Sequence, residues 1–386
     1  MNINIFGSTG VIGTKSLKII KDQFPKLKIN LLCANTNYKL LYKQICNFEP
    51  KYAYINDKSK YNLLKLKVKN KTKILTFEEL ISHLDNSKSN YTILSISGYK
   101  SLYYLEKIIF NTQHLGLVNK ESIVSAGHLF KKNKFFKKTN IYPIDSEHFS
   151  IYDFLNQFKF NNSIKSVILT ASGGPFHDIP LKKLKLVSFK EAIKHPKWQM
   201  GYKNSIDSAT LVNKCLEIIE AHYLFDIPYN KIDILIHPEA IVHSIIEKEN
   251  YVSHMNLFQN DMSIPIINFL NQNKIISRKI NKNLFYKEYS NFTFSKVNNN
   301  IFPIYKFFKK LDKSKPTNII KFNVGNEYAV NLFKRNLIRY PDIYRIIKKV
   351  VSLNLYSPLN TIKDIINYHE KIEKSVEQNI KNFIKN

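Results

Sequence analysis

Over its first 140 residues the chain alternates short apolar runs with helix-length segments. NINIF (2–6), KINLLCA (28–34), YAYI (52–55), YTILSIS (91–97) and LGLV (115–118) read as strands, with helical patterns between them. That alternation is the signature of a doubly wound parallel sheet, so an α/β fold is expected. The pattern changes near 140. IYPI (141–144), SVILTAS (166–172) and IDILIHP (232–238) read as strands, with helices around 147–158 and 208–225. An Asn- and Lys-rich stretch, 271–300, reads as a linker. From 302 to 386 only helices are expected, with Pro303, Pro316, Pro341 and Pro358 at their starts or breaks. With 386 residues, two or three domains are expected.

The stretch GSTGVIG (7–13) follows the first strand and opens a helix. Glycines at 7, 10 and 13 let the backbone approach a pyrophosphate at a helix N-terminus. A tight strand–helix turn also uses glycine, but the βαβ setting favours a dinucleotide. The second strand runs into Cys33-Ala34-Asn35-Thr36-Asn37. An NAD enzyme usually places an acid there for the ribose 2′-hydroxyl. None is present, which points to NADP.

Several polar groups stand where apolar runs end. YPIDSEHF (142–149) crowds Asp145, Ser146, Glu147 and His148 together. Two carboxylates two residues apart repel unless a basic side chain, a metal ion or a proton lies between them. In DSATLVNKCLE (207–217), Asn213, Lys214 and Glu217 share one helix face, while Leu211, Leu216, Ile218 and Ile219 supply the apolar side. Asp145, Glu147 and Glu217 form a set suited to a hard octahedral ion such as Mg²⁺ or Mn²⁺. The same residues also fit an acidic helix start and a solvated ion pair. VNKES (118–122) reads equally as a cap by Asn119 and Glu121. SGGP (172–175) through HPKWQMG (195–201) reads either as a mobile flap with an aromatic lid or as a surface loop with an anchoring Trp. His237 and His243 in LIHPEAIVHS (235–244) fit core histidines better than ligands.

Lys plus Arg number 59 against 30 Asp plus Glu, a formal charge of +29. The excess is mostly Lys, scattered through every segment and mixed with Asn and Ile, as AT-rich coding produces. A dedicated nucleic-acid binder gathers its charge on one face or arm. The charge still attracts anionic ligands. No run approaches 18 uncharged apolar residues, so no membrane partner is expected, and the start MNINIFG lacks the order of a signal peptide. Cys33, Cys46 and Cys215 fit neither a disulfide framework nor a zinc knuckle, which suits a reducing compartment.

In order along the chain, GSTGVIG, VNKES, PIDSEH, SGGPF, HPKWQMG, DSATLVNKCLE and LIHPEAIVHS together resemble the 1-deoxy-D-xylulose 5-phosphate reductoisomerase family, with GNEYAV (325–330) a weaker match. The resemblance implies a Rossmann-like NADPH-binding domain (1–140), an α+β catalytic domain (141–270) with a flap at about 172–202, a linker (271–300) and a C-terminal helical bundle (301–386). It implies a homodimer, cytoplasmic in a bacterium or housed in a plastid-type organelle. Asp145, Glu147 and Glu217 match the ligands of Mg²⁺ or Mn²⁺. Lys120, Ser146, Ser172, His195, Ser208, Asn213 and Lys214 match contacts to a sugar-phosphate substrate, with Glu147 and Glu217 beside it. Glu147, Lys120 and His195 are the catalytic candidates. Thr9, Gly10, Val11, Ile12, Asn119, Glu121 and Gly201 match NADPH contacts, to which the loop Asn35, Thr36 and Asn37 is added. Trp198 and Met200 match the flap.

The implied reaction is a metal-assisted retro-aldol and aldol rearrangement followed by hydride reduction. Two departures stand out. The family often has a glycine and a lysine where this chain reads Asn35-Thr36-Asn37, and residues 181–194 carry five lysines. Two rival readings remain: a semialdehyde dehydrogenase with Cys215 as nucleophile, and a nucleic-acid-binding protein using the basic surface.

Overall fold

A computed structural model describes residues 1–69, 71–132, 139–158, 164–194, 201–273 and 291–379. The chain forms two compact units. The first comprises Met1–Ser122, Lys132–Phe149 and Asp261–Asn283; the second comprises Ile123–Lys131, Ser150–Asn260 and Leu284–Asn386.

The first unit is built on seven strands: β1 (Asn2–Phe6), β2 (Lys28–Ala34), β3 (Tyr52–Ile55), β4 (Lys73–Leu75), β5 (Ser89–Leu94), β6 (Thr112–Leu117) and β7 (Asn140–Pro143). Their order is β4-β3-β2-β1-β5-β6-β7 and every pairing is parallel. The strands are apolar because both faces are covered: Ile3, Ile5, Phe6, Leu31, Leu32, Tyr91, Ile93 and Leu94 are all buried. The helix Val11–Gln23 buries Gly13, Ser16, Leu17 and Ile20, the three-and-four spacing of a helix lying on a sheet. Strands β2 to β4 are added on one side of β1 and β5 to β7 on the other, and ligands bind outside the carboxyl ends of the strands at such a switch point.

The strand expected to open the second domain at 141–144 is instead β7, the last strand of this sheet. The three-residue β4, too short to show an alternation, also joins it. A late helix, Ser263–Leu270, completes the unit: Phe269 is fully buried and its ring lies 5.5 Å from both Tyr91 and Tyr142.

The second unit holds a five-stranded sheet: β8 (Ile164–Ala171), β9 (Ile232–Ile236), β10 (Val242–Lys248), β11 (Ser253–Leu257) and β12 (Ser295–Lys296), in the order β11-β10-β8-β9-β12. β8 and β9 run parallel, and the other pairings are antiparallel. β12 falls inside the stretch expected as a linker. The helix expected at 208–225 is two helices, Tyr202–Ala209 and Val212–Phe225. Leu211, in the left-handed region at φ 64°, separates them. Helices Pro303–Lys310, Pro316–Lys334, Asp342–Val351 and Ile362–Gln378 follow. Pro303 and Pro316 each stand at a first helical position. Ile343, Ile346, Ile347 and Val350 face Pro316–Lys334, where a Cβ on Gly325 would already meet Val350 at 3.1 Å.

Candidate active site

The glycine turn is built from its backbone outward. Gly7 sits at φ 83°, and a side chain there would strike the Ser95 carbonyl oxygen at 2.6 Å. The N–H groups of Gly7 and Ser8 both donate to the Cys33 carbonyl at 2.9 Å, and Gly10 N–H donates back to Gly7 O at 3.0 Å. Gly13 opens the helix so close to the turn that a Cβ would lie 2.3 Å from Gly7 O. These three bare positions fit a pyrophosphate cradle. Ser8, which the sequence did not single out, locks it: its hydroxyl donates to Gln44 Oε1 and its carbonyl accepts from Gln44 Nε2, each at 2.8 Å.

A cavity of about 990 Å³ opens over this turn, large enough for a dinucleotide, and Thr9, Gly10 and Asn35 line it. Thr9 and Ile12 are half-buried, and Gly10 and Val11 are exposed. In the loop after β2 the roles divide. Asn35 faces the cavity, Thr36 is exposed, and Asn37 caps the helix Tyr38–Phe48 by accepting from Leu40 N–H at 3.1 Å.

The end of β6 holds Asn119 as a buried hub. Its Oδ1 accepts from Ser122 N–H at 2.7 Å and Ser101 Oγ at 2.8 Å, while its Nδ2 donates to Ile96 O and to Glu121 Oε2 at 2.8 Å. The capping role read from VNKES is therefore present for Asn119, while Glu121 accepts from the Asn119 amide. β6 and β7 end side by side, with Leu117 opposite Pro143 and Ile144 N–H donating to Leu117 O at 2.9 Å. That register delivers Lys120 from one strand end to Asp145 from the next, and the two form an ion pair. His148 Nδ1 lies 3.1 Å from the other Asp145 oxygen, and Ser146 Oγ donates to Glu147. Lys120 thus brings a positive charge to Asp145, one of the two acids.

In the second unit, Gly173 (φ 81°) and Gly174 (φ 64°) turn the chain after β8. A Cβ on Gly174 would meet Ala209 Cα at 2.9 Å and Ser208 O at 3.0 Å, so this turn brings Ser172 and Ser208 into one neighbourhood. Ser172 Oγ accepts from Gly174 N–H at 3.2 Å. In the helix Val212–Phe225, Glu217 is fully buried. Lys214 Nζ donates to one of its oxygens at 2.7 Å and Asn213 Nδ2 to the other. The expected polar face exists, but it is enclosed. Gly201 caps the helix Tyr202–Ala209, and among the described residues nothing lies within 4 Å of where a Cβ would stand. His195, Trp198 and Met200 lie outside the described residues.

Asp207, in DSATLVNKCLE, is a residue that spacing alone does not single out. It is buried between Lys203 Nζ at 2.8 Å and Asn326 Nδ2 at 2.7 Å, and Tyr340 OH donates to Ala209 O at 2.6 Å. Asn326 belongs to GNEYAV. His237 and His243 serve the core. His237 accepts from Val242 N–H at 3.2 Å, donates to Thr293 O at 2.9 Å and stacks on Phe294. His243 stacks on Phe258 at 3.9 Å. Cys215 is enclosed, and burial pushes its thiol well above the ordinary range, which disfavours a nucleophilic thiolate.

The glycine cradle, the cavity over it and the switch point beneath define a dinucleotide-binding α/β protein. The family model described as 1-deoxy-D-xylulose 5-phosphate reductoisomerase matches residues 3–127; those for its C-terminal domains match 141–225 and 257–375. The chain belongs to the 1-deoxy-D-xylulose 5-phosphate reductoisomerase family. It is 37% identical to the Pelagibacter ubique 1-deoxy-D-xylulose 5-phosphate reductoisomerase, over 94% of this chain and 93% of that one. It is 38% identical to the apicoplastic enzyme of Plasmodium falciparum, over 91% and 76%. A DOX-P reductoisomerase crystallised with NADPH, fosmidomycin and magnesium superposes with a TM-score of 0.90 at 30% identity, covering 99% of this chain and 98% of that one. The Zymomonas mobilis enzyme with NADPH gives 0.85 at 29% identity, covering 97% of each. The reading of the basic charge as a nucleic-acid surface gains no support from these relatives.

Proposed function

We propose that this chain converts 1-deoxy-D-xylulose 5-phosphate to 2-C-methyl-D-erythritol 4-phosphate, using NADPH and Mg²⁺ or Mn²⁺, in the non-mevalonate route to isoprenoid precursors. The observation that carries the reading is the match, along nearly the whole chain, to a structure that holds NADPH, fosmidomycin and magnesium. The chain's own residues fit both groups. The glycine cradle has no room for side chains at Gly7 and Gly13, and a cavity lies above it. Asp145, Glu147 and Glu217, which we assign to the metal, offer the hard oxygen donors that Mg²⁺ and Mn²⁺ prefer.

When bound, the ion polarises the substrate's ketone and adjacent hydroxyl oxygens, and NADPH supplies the hydride. Glu147 takes the proton of the C4 hydroxyl, which allows one carbon–carbon bond to break and another to form. Ser146 holds the Glu147 carboxylate in place by its hydrogen bond. Lys120 forms an ion pair with Asp145, and with His195 it is assigned to the reacting end of the substrate. Ser172, Ser208, Asn213 and Lys214 hold the phosphate with charge-assisted donors. Lys214 and Asn213 also fix both oxygens of Glu217. Thr9, Gly10, Val11, Ile12, Asn119, Glu121 and Gly201 are assigned to NADPH. Trp198 and Met200 are assigned to a flap that would exclude water from the substrate.

We assign a homodimer, tested by sedimentation. We also assign a bacterial cytoplasm or a plastid-type organelle as its compartment, tested by fractionation of the source cell. Among the described residues no helix is long and apolar enough to cross a membrane. The decisive assay follows NADPH absorbance with 1-deoxy-D-xylulose 5-phosphate and Mg²⁺. Consumption that stops on adding a chelator is expected, and a chain that leaves NADPH untouched under these conditions refutes the reading.

A further inference from the structure

The loop Asn35–Asn37 carries no charge, and Asn37 is spent on a helix cap, so recognition of a 2′-phosphate needs a cation from elsewhere. The cavity over the glycine turn is lined by two lysines, Lys58 and Lys100, and one carboxylate, Glu78. We infer that Lys58, the first residue of the helix after β3, reads the 2′-phosphate of NADPH together with the Asn35 amide; this rests on the NADPH reading above.

The turns after β2 and β3 form one platform. Ala34 pairs with Ile55 at the strand ends. Beyond them, Asn56 N–H donates to Ala34 O and Asp57 N–H to Asn35 O, each at 3.0 Å. A side-chain relay continues outward: Tyr54 OH donates to Asn56 Oδ1 at 3.0 Å, and Asn56 Nδ2 donates to Asn35 Oδ1 at 3.1 Å. The relay occupies the Asn35 oxygen and leaves its two N–H donors for an anionic oxygen. An acid at Asn35 would instead accept from a ribose diol and repel a phosphate.

Lys58 is exposed, and among the described residues no carboxylate pairs with it. Its neighbour Asp57 is turned onto its own helix, accepting from Ser59 N–H at 2.9 Å, Ser59 Oγ at 2.7 Å and Lys60 N–H at 3.2 Å. The ammonium is therefore available to a ligand. Strand order separates it from the other charges of the cavity. β3 is the immediate neighbour of β2, whereas β4, which leads to Glu78, and β5, which leads to Lys100, each lie two strands from β2. At about 4.8 Å per strand, Lys58 starts about 5 Å from the Asn35 strand end, and Glu78 and Lys100 start about 10 Å away. A phosphate dianion beside Asn35 thus meets Lys58 first, and charge-assisted contacts favour NADPH over NADH, which offers only a hydroxyl there.

The test measures binding to the full chain by calorimetry, with NADPH, NADH and adenosine 2′,5′-bisphosphate as probes. Lys58→Met is expected to weaken NADPH and the bisphosphate about tenfold or more, equivalent to ~1.4 kcal/mol, while NADH stays within about twofold and reports an intact fold. Lys58→Arg should keep the preference. Lys100→Met should change both nicotinamide cofactors alike. A Lys58→Met chain that still prefers NADPH as strongly as the wild type overturns the inference. So does a wild type with equal affinity for both cofactors, or a preference lost in Lys100→Met instead. A wild type that binds neither cofactor would refute the NADPH reading itself, a separate result.

Discussion

Replacing Gly13 with alanine tests the cradle most directly. The added methyl would lie 2.3 Å from Gly7 O, 2.6 Å from Ser8 Cα and 2.8 Å from Ser8 C. Comfortable carbon contacts begin near about 3.5 Å, so the turn must move by about 1 Å. All three obstacles are backbone, and Ser8 is pinned by two hydrogen bonds to Gln44. Overpacking of this kind costs about 1–3 kcal/mol. Alanine's helix preference returns up to about 1 kcal/mol. A net loss of about 1–2 kcal/mol in folding stability is expected. A shift of about 1 Å also misplaces the cofactor, and errors of that size cost on the order of 100-fold in turnover. Gly10→Ala is the internal comparison: its φ is −78° and its nearest obstacle is 3.3 Å away, so stability should fall far less. Denaturant unfolding and NADPH titration of both variants decide the matter. Equal stability of the two, with NADPH affinity of Gly13→Ala within threefold of wild type, would refute the steric reasoning.

Three further outcomes are expected. Glu217→Gln keeps the side chain's size but removes a ligand charge and turns one of the two accepting oxygens into a donor, so turnover should fall at least about tenfold at every Mg²⁺ concentration; unchanged rates across the titration would remove Glu217 from the metal site. Lys214→Met should weaken both the substrate and a hydroxamate-phosphonate inhibitor, and affinities within about threefold (~0.7 kcal/mol) would show that Lys214 does not hold the phosphate. His369, buried against Ser125 Oγ at 2.9 Å, is held neutral in the fold, its pKa lowered by burial from an ordinary 6.5 to about 3. Between those values the unfolded chain binds the extra proton, so stability should be lost as pH falls below about 6.5, by up to ~1.4 kcal/mol per pH unit; His369→Gln should flatten that slope in urea melts between pH 7 and 5, and an unaltered slope would contradict it.

The parallel sheet was legible because its strands are buried on both faces and so read as unbroken apolar runs. NINIF and KINLLCA begin and end where β1 and β2 do. Pairing partners were not legible. IYPI looked like the start of a new domain, yet nothing in four residues says that Leu117 stands opposite Pro143. The break at Leu211 was hidden because a leucine rarely marks a left-handed turn, and good helix formers flank it on both sides. Asp207 escaped notice because its meaning depends on Asn326, 119 residues further along. The acid-rich turn at 145–147 and the face Asn213–Lys214–Glu217 were visible because several ionisable groups at short spacing need a local reason. That Lys120 meets Asp145 follows only from the register of two neighbouring strands.

The late helix Ser263–Leu270 sets a timetable for synthesis. The first unit draws on residues up to 149 and then on 261–283. When β7 has left the ribosome, the space beside Gly116 that Phe269 fills is still open: a Cβ on Gly116 would come within 2.8 Å of the Phe269 ring, and Tyr91 and Tyr142 flank it. Burying a phenylalanine is worth about 1.5–3 kcal/mol, a large part of a small domain's stability. The nascent sheet therefore waits, incompletely sealed, while more than a hundred residues of the other unit are made. A gene fragment ending near residue 150 would lack its last wedge, and a circular permutant opening at 150 and joining the old termini would translate Phe269 before the sheet it seals.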